Sequence, residues 1–378
     1  MAATARDTEL SVEELALQSE VRSFLRTELP RGSYIPGLGM VGGRDPAFSK
    51  KLAARGWLGM SVPAEYGGAS RSAVERFVVV EELLRWGAPV EHHWNADRQI
   101  APILARYGTP AQRERFVGPI CAGELSFALG MSEPDAGSDL ASVTTRAVKV
   151  DGGWRVNGTK IWTSGAHLSD WFIILCRTSD ETDRRQGLSR LIVDLHADGV
   201  RVSPIEFLDG TSEFNEVAME DVFVSDDLLV GEVGLGWSQN VAELVYERGG
   251  PERWLSPYLL VEQLLREHGG AAPEPYHAIV ANATAAWWAM RRLSLQIARK
   301  IDRGEAPAHE SALVKDIGTR FEQKLVADLL DAFGEDVVED VPDSFRGLLF
   351  RAILNNPAWT IRGGTTEILR TIITRGLR

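Results

Sequence analysis

"ASVTTRAVKVDGGWRVNGTKIWTSG", residues 141–165, alternates apolar and polar side chains and is rich in valine, threonine and tryptophan. A period of two marks a half-buried β-strand, because successive side chains point to opposite faces. The Asp151-Gly152 and Asn157-Gly158 pairs predict tight hairpin turns, since these residue types accept the left-handed backbone such turns require. Four later runs, "WFIILCRT" (171–178), "SRLIVDL" (189–195), "VRVSPI" (200–205) and "NEVAMEDVFV" (215–224), continue as short strands. Residues 124–228 are therefore expected to form a compact β domain, barrel-like or sandwich-like.

On either side the period changes to that of a helix. Leu10, Val12, Leu15, Val21 and Leu25 follow helical spacing, with Ser11 as the expected N-cap and Pro30 as the stop. Further helices are expected at about 46–55, 71–87, 97–107 and 110–122, which makes 1–123 an N-terminal helical domain. Beyond the β domain the pattern predicts helices at about 238–248, 256–268, 274–303, 308–333, 343–355 and 365–375. Long helices with short connections predict an antiparallel, four-helix-type bundle over 229–378. The fold class is α+β multidomain.

Composition narrows the partners. Fifty-three acidic against 41 basic residues give a net charge of −12, with no long run of either sign. Neither nucleic acid nor an anionic membrane is favoured as a partner. Cys121 and Cys176 cannot build a disulfide framework, and no metal-ligand spacing accompanies them. The first twenty residues lack the apolar core of a signal peptide, and "WFIILC" (171–176) is too short to span a bilayer. A cytoplasmic protein without membrane insertion is expected.

The densest chemical signal is "FALGMSEPDAGSDL" (127–140), followed after the hairpin by "KIWTSGAH" (160–167). These stretches resemble the two flavin-binding signatures of the acyl-CoA dehydrogenase family, and the helical, β, helical order agrees. The resemblance implies FAD as cofactor and an acyl-CoA as substrate. It implies that Met131 and Ser132 line the pyrimidine end of the flavin, that Trp162 packs against its ring, that Ser164 brings a hydroxyl toward N5, and that Thr163 is a further cofactor contact. Ser138, in "AGSD", matches the position that contacts the pantetheine or phosphate part of the substrate. Taken singly, "EPDAGSD" reads as a polar turn and Trp162 as a core aromatic.

The family reaction removes a proton α to the thioester carbonyl while hydride leaves the β carbon, so it needs a carboxylate over Cα and donors at the carbonyl oxygen. In the commonest family pattern the carboxylate precedes a Gly-Thr pair. In "IRGGTTEILR" (361–370) that place is taken by Gly363. The chain thus resembles the branch, isovaleryl- and long-chain-type, whose base lies on an earlier helix. "SQNVAELVYERGGPERW" (238–254) supplies Glu247 at the matching distance from Gly236-Trp237, with Glu243 and Glu252 as competitors and a solvated surface carboxylate as the plain alternative. Arg248 is expected to support the substrate network, because a guanidinium does not deprotonate in this range. The Gly363 amide would polarise the carbonyl; Gly364, Thr365 and Glu367 match positions near the ribityl and diphosphate groups.

Two family motifs for the adenosine half of FAD are missing, with Arg291 and Arg292 as candidate substitutes. A partner subunit could supply that half, so homo-oligomer (dimer or tetramer) and hetero-oligomer both stay open. The resemblance implies an electron-transfer flavoprotein as acceptor. An acyl-CoA oxidase, a dehydrogenase of carrier-protein-bound acyl groups, and a non-catalytic subunit of a heteromeric dehydrogenase are the alternatives. His92-His93 either faces the acyl pocket or is structural. "GEVGLGW" (231–237) reads as a loop entering a helix, since it lacks the strand context of a phosphate loop.

Overall fold

A capping box in which Ser11 and Glu14 bond each other's backbone starts α1 (Val12–Glu28). Then come α2 (Pro46–Ala54), α3 (Ala73–Trp86), α4 (Glu91–Asn95), α5 (Ala101–Tyr107), α6 (Pro110–Gln112) and α7 (Gly118–Cys121). The structure, a computed structural model, describes residues 8–40, 42–334 and 341–376, with the side chains of 244–247 outside the description. The helix expected at 97–107 begins earlier, as α4, and reaches α5 through a wide π turn at Ala96–Ile100.

The strands are β1 (Phe127–Gly130), β2 (Arg146–Val150), β3 (Gly153–Ser164), β4 (Trp171–Arg177), β5 (Leu188–Asp194), β6 (Val200–Ile205) and β7 (Phe214–Ser225). They form one seven-stranded sheet. Strands β2, β3, β7 and β6 make an antiparallel ladder; β4 pairs β1 in parallel and β5 antiparallel, and meets β2 only at Arg146–Arg177. Asp151-Gly152 turns β2 into β3 as expected. Asn157-Gly158 does not turn the chain. It lies inside β3 at a register shift against β7, where Gly158 adopts φ 147°. A Cβ there would meet the Thr145 hydroxyl at 2.4 Å, so this glycine serves close approach within a bulge.

The closing helices are α8 (Gly236–Glu247), α9 (Tyr258–Glu267), α10 (His277–Asp302), α11 (Ala308–Phe333), α12 (Phe345–Trp359) and α13 (Thr366–Gly376). By packing, the chain divides into two compact units. One takes its described residues from Met1–Arg44, Arg71–Val90 and Leu244–Arg378; the other is Asp45–Ser70 with Glu91–Glu243. The helical unit centres on apolar residues of α9, α11 and α12, among them Leu260, Leu329, Leu349 and the fully buried Trp359. Two ion pairs tie its early helices to α10: Arg291–Glu81 and Arg299–Glu14, both at 2.6 Å. The sheet unit buries Trp154, Phe172, Leu191 and Val217 on one face. On the other, Phe127, Ile173 and Ile192 pack with Ile100, Leu104 and Phe116 of the helical segments.

Candidate functional site

In the sheet unit the two signature stretches are neighbours. The Ile161 amide donates to the Ser132 carbonyl at 3.0 Å, which sets Met131-Ser132 beside Trp162-Thr163-Ser164. A register shift between Lys160 and Thr163 puts Trp162 in a bulge of β3 with φ 59°. A bulky residue in the left-handed region is strained, and such strain collects where a fold must aim a side chain. Here it leaves the indole 49% exposed, edge-on to Phe214 at 6.1 Å between ring centres. Thr163 is buried, and its hydroxyl has no hydrogen-bond partner. Ser132 and Ser164 are half-buried and Ser138 is exposed.

A buried ion pair holds this arrangement. Lys160 is 0% exposed and donates to the Met131 carbonyl (3.1 Å) and to Glu133 Oε1 (2.8 Å). Glu133 also accepts from both amides of Thr144-Thr145 and from the Thr144 hydroxyl, at 2.6 to 2.9 Å. Burial pushes the Glu133 carboxyl up, but the adjacent Lys160 ammonium and these hydrogen bonds outweigh it and hold the group at about 2. Burial pulls the Lys160 ammonium below its ordinary range, against the attraction of Glu133.

Helix α8 starts hard against β5. A Cβ on Gly236 would stand 2.8 Å from the Leu188 carbonyl, so only glycine fits. Trp237 packs with Met131 and Leu140 over Leu175 and Leu188. One turn on, Arg190 of β5 donates from Nη2 to Asn240 Oδ1 (3.1 Å) and Glu243 Oε2 (2.7 Å). Glu243 is thus committed to an ion pair. The Glu247 side chain lies outside the described residues; its backbone is the last of α8.

In the helical unit the loop at 359–364 is held by three buried cations. Lys315 Nζ donates to the Trp359 and Thr360 carbonyls at 3.2 and 3.3 Å, capping the end of α12. Arg362 pairs with Glu322 at 3.0 Å. Arg248 Nε donates to the Gly363 carbonyl at 2.8 Å. Gly363 and Gly364 have φ 68° and 108°, and a Cβ on Gly364 would lie 3.1 Å from Arg248 Nη2. This is where the glycine pair is needed: the loop turns left-handed twice beside a guanidinium. Thr365 follows, accepting from the Leu369 amide, and α13 starts with the exposed Glu367 in its first turn.

Other candidates engage neighbours within the chain. Arg291 is committed to Glu81, and Arg292 lies over the Trp288 ring at 4.7 Å. Glu252 is 2% exposed in the turn after α8. His93 Nδ1 meets Ser49 Oγ at 2.8 Å in a fully buried place, and His92 Nε2 meets the Gly123 carbonyl. Burial lifts both cysteine thiols to about 12, which leaves them inert. Among the described residues no group of three or more His, Cys, Asp and Glu could hold a metal ion, and no helix is long and apolar enough to cross a membrane. Arg190, Lys160 and Glu133 were not singled out from sequence. For Arg190 and Lys160 the signal was a charge inside an otherwise apolar or alternating strand; Glu133 lies in the loop after β1 and had none.

Three family models match in chain order: the N-terminal domain of acyl-CoA dehydrogenase over 11–124, its middle domain over 128–222 and its C-terminal domain over 276–378. The acyl-CoA dehydrogenase IpdE1 of Mycobacterium tuberculosis is 36% identical over 375 residues, 94% of this chain and 95% of the relative. A solved "Tcur3481-Tcur3483 steroid ACAD" superposes with a TM-score of 0.86 at 29% identity over 98% of both chains. The ChsE4-ChsE5 complex from Mycobacterium tuberculosis gives 0.82 at 27% identity, over 99% of this chain and 97% of the other. The chain belongs to the acyl-CoA dehydrogenase family of FAD-dependent enzymes.

Proposed function

We propose that this chain dehydrogenates an acyl-CoA thioester between Cα and Cβ to the trans-2-enoyl-CoA, with FAD as hydride acceptor and Glu247 as base. The observation that carries the reading is the bond from Arg248, next in chain to Glu247, to the Gly363 carbonyl at 2.8 Å. The loop that lacks the usual carboxylate is fastened to the residue following the proposed replacement. Glu243, the rival one turn earlier, is occupied by Arg190.

The sheet unit fits an isoalloxazine ring. Trp162 offers a half-exposed flat wall, Met131 an apolar contact, and Ser132, Thr163 and Ser164 hydroxyls for the polar edge, that of Thr163 being buried without a partner. Gly364, Thr365 and Glu367 would serve the ribityl and diphosphate groups, where the first amides of α13 favour phosphate. Bound FAD supplies the acceptor for the β hydride at its N5. Glu247 takes the α proton, and closure over an apolar acyl chain strengthens it as a base by desolvation. The Gly363 amide donates to the thioester oxygen as enolate charge develops. Arg248, always protonated, keeps that loop in place, and Ser138 contacts the pantetheine arm. In this division of labour 1–123 is the N-terminal helical domain, 124–228 meets flavin and substrate, and 229–378 carries base and oligomer contacts.

The acceptor of the electrons is an electron-transfer flavoprotein and the setting cytoplasmic. A second reading, a subunit of a hetero-oligomer whose partner completes the adenosine half of the FAD site, is supported by the commitment of Arg291 to Glu81 and by the likeness to the ChsE4-ChsE5 complex. The purified chain, alone, should be yellow and bleach anaerobically with an acyl-CoA. Glu247→Gln should stay yellow and lose about 10²–10⁴-fold in rate, the usual worth of a positioned base. A fully active variant refutes the base; a colourless chain selects the second reading.

A further inference from the structure

Lys160 is a charge on the buried side of β3, 0% exposed, with Val217 as its cross-strand partner. Its ion pair with Glu133 adds little net stability, because taking both charges out of water offsets their attraction. Nor does Glu133 depend on it for hydrogen bonds, since the Thr144 amide and hydroxyl and the Thr145 amide already donate to it. What remains is the second bond of the ammonium, to the Met131 carbonyl at 3.1 Å.

The Met131–Ser132 peptide is planar and trans, so its N–H points opposite to its carbonyl. The carbonyl faces the buried ammonium; the Ser132 N–H therefore faces outward from a half-buried loop. It has no acceptor among the described residues. The Ser132 carbonyl is taken by the Ile161 amide at 3.0 Å, so the loop is fixed on both sides of that N–H. A cation on the carbonyl draws electron density along the amide and strengthens the N–H as a donor. Chains of hydrogen bonds polarise one another in this way, and more so away from water.

This loop is the one proposed above to line the pyrimidine end of the flavin. Hydride arriving at N5 from the substrate Cβ brings two electrons and one proton, while the Cα proton goes to Glu247. The ring is then left with one negative charge, carried at N1 and the C2 oxygen of that same end. A donor strengthened there favours the reduced ring over the oxidised one. We propose that Lys160 is a positioning residue that acts through the Met131–Ser132 peptide to raise the reduction potential of the bound flavin. The inference rests on the flavin contacts of the dehydrogenase reading.

The test is an anaerobic titration of the flavin-loaded protein with a low-potential reductant and a reference dye, which needs no acyl-CoA. The proteins are wild type, Lys160→Met/Glu133→Gln and Glu133→Gln. The double variant leaves no buried charge alone, and should bind reduced FAD about tenfold less well relative to oxidised FAD. For a two-electron couple that is a potential lower by about 30 mV. The affinity of the apoprotein for oxidised FAD, read from flavin fluorescence, should change far less. Glu133→Gln keeps the cation and should not fall below wild type. A potential unchanged or raised in the double variant overturns the inference even if FAD affinity drops, because a purely structural pair weakens both redox states alike. A fall in Glu133→Gln as large as in the double variant also overturns it, giving the effect to the carboxylate. A wild-type chain that takes up no added FAD removes the flavin from this loop, and the inference with it. A wild type that holds FAD but is bleached by no acyl-CoA defeats the dehydrogenase reading, while the measured potentials still decide on Lys160.

Discussion

Replacing Lys160 by methionine removes the cation beneath the Met131-Ser132 loop and leaves Glu133 buried with only the Thr144 and Thr145 donors. Methionine is flexible enough to fill the volume, so the loss is electrostatic rather than a cavity. Breaking a buried pair by removing one partner costs about 3–5 kcal/mol, because the other charge is left uncompensated. The sign of the pH dependence separates this from a packing defect. In wild type the Glu133 carboxyl sits at about 2, below its ordinary value of 4.5, so its stabilisation is present above pH 4.5 and fades as pH falls toward 2. Without Lys160 burial dominates and the carboxyl rises, so the variant is worst at high pH and recovers as pH falls and Glu133 takes up a proton. The gap between the two proteins should therefore narrow from pH 8 to pH 5. Hydrogen exchange of the β3 and β7 amides reads this locally, which matters in a chain of two units where one global transition is not assured. Lys160→Met/Glu133→Gln should restore most of the loss. A deficit below about 1 kcal/mol, or one of equal size at pH 5 and 8, would refute the reasoning.

His93 predicts a second acid response. Burial, aided by His92, lowers its imidazole from 6.5 to about 3, so the unfolded chain binds a proton near 6.5 while the native chain does not. Stability is then lost as pH falls through that window, on the order of 5 kcal/mol over the full shift, and His93→Asn should flatten the slope in urea titrations between pH 6.5 and 4. Gly364→Ala puts a Cβ 3.1 Å from Arg248 Nη2 at φ 108°, at a cost of about 1–3 kcal/mol. Thermal unfolding and flavin reduction should both suffer; an unaffected protein would mean that the loop is not held as described. Trp162→Gly relieves a left-handed tryptophan but forfeits its edge-on contact with Phe214, so stability should stay within about 1 kcal/mol of wild type. The flavin-to-protein ratio after gel filtration should fall nonetheless, and an unchanged ratio would rule out Trp162 as the wall.

Where structure is local, the sequence was readable. The helix expected at 308–333 is α11, Ala308–Phe333, and Ser11 caps α1 as its position before "VEEL" implied. Asn157-Gly158 misled because the same dipeptide that closes a hairpin also permits a bulge; only the approach of Thr145 decides between them. The two signature stretches were legible as motifs, yet what fastens them was not. Lys160 meets Glu133 across 27 positions, and Arg190 meets Glu243 across 53. No periodicity records such pairings. Arg291 likewise meets Glu81 across 210 positions.

Gly363 has a consequence for how this protein can change. Its φ of 68° costs any residue with a Cβ about 1–2 kcal/mol. Losing a side chain there relaxes the backbone, while regaining one strains it, and Arg248 stands against the neighbouring glycine. The backbone alone therefore favours glycine at this position. With the base proposed on α8, a carboxylate restored at 363 would carry that left-handed strain without the role it has in the commonest family pattern.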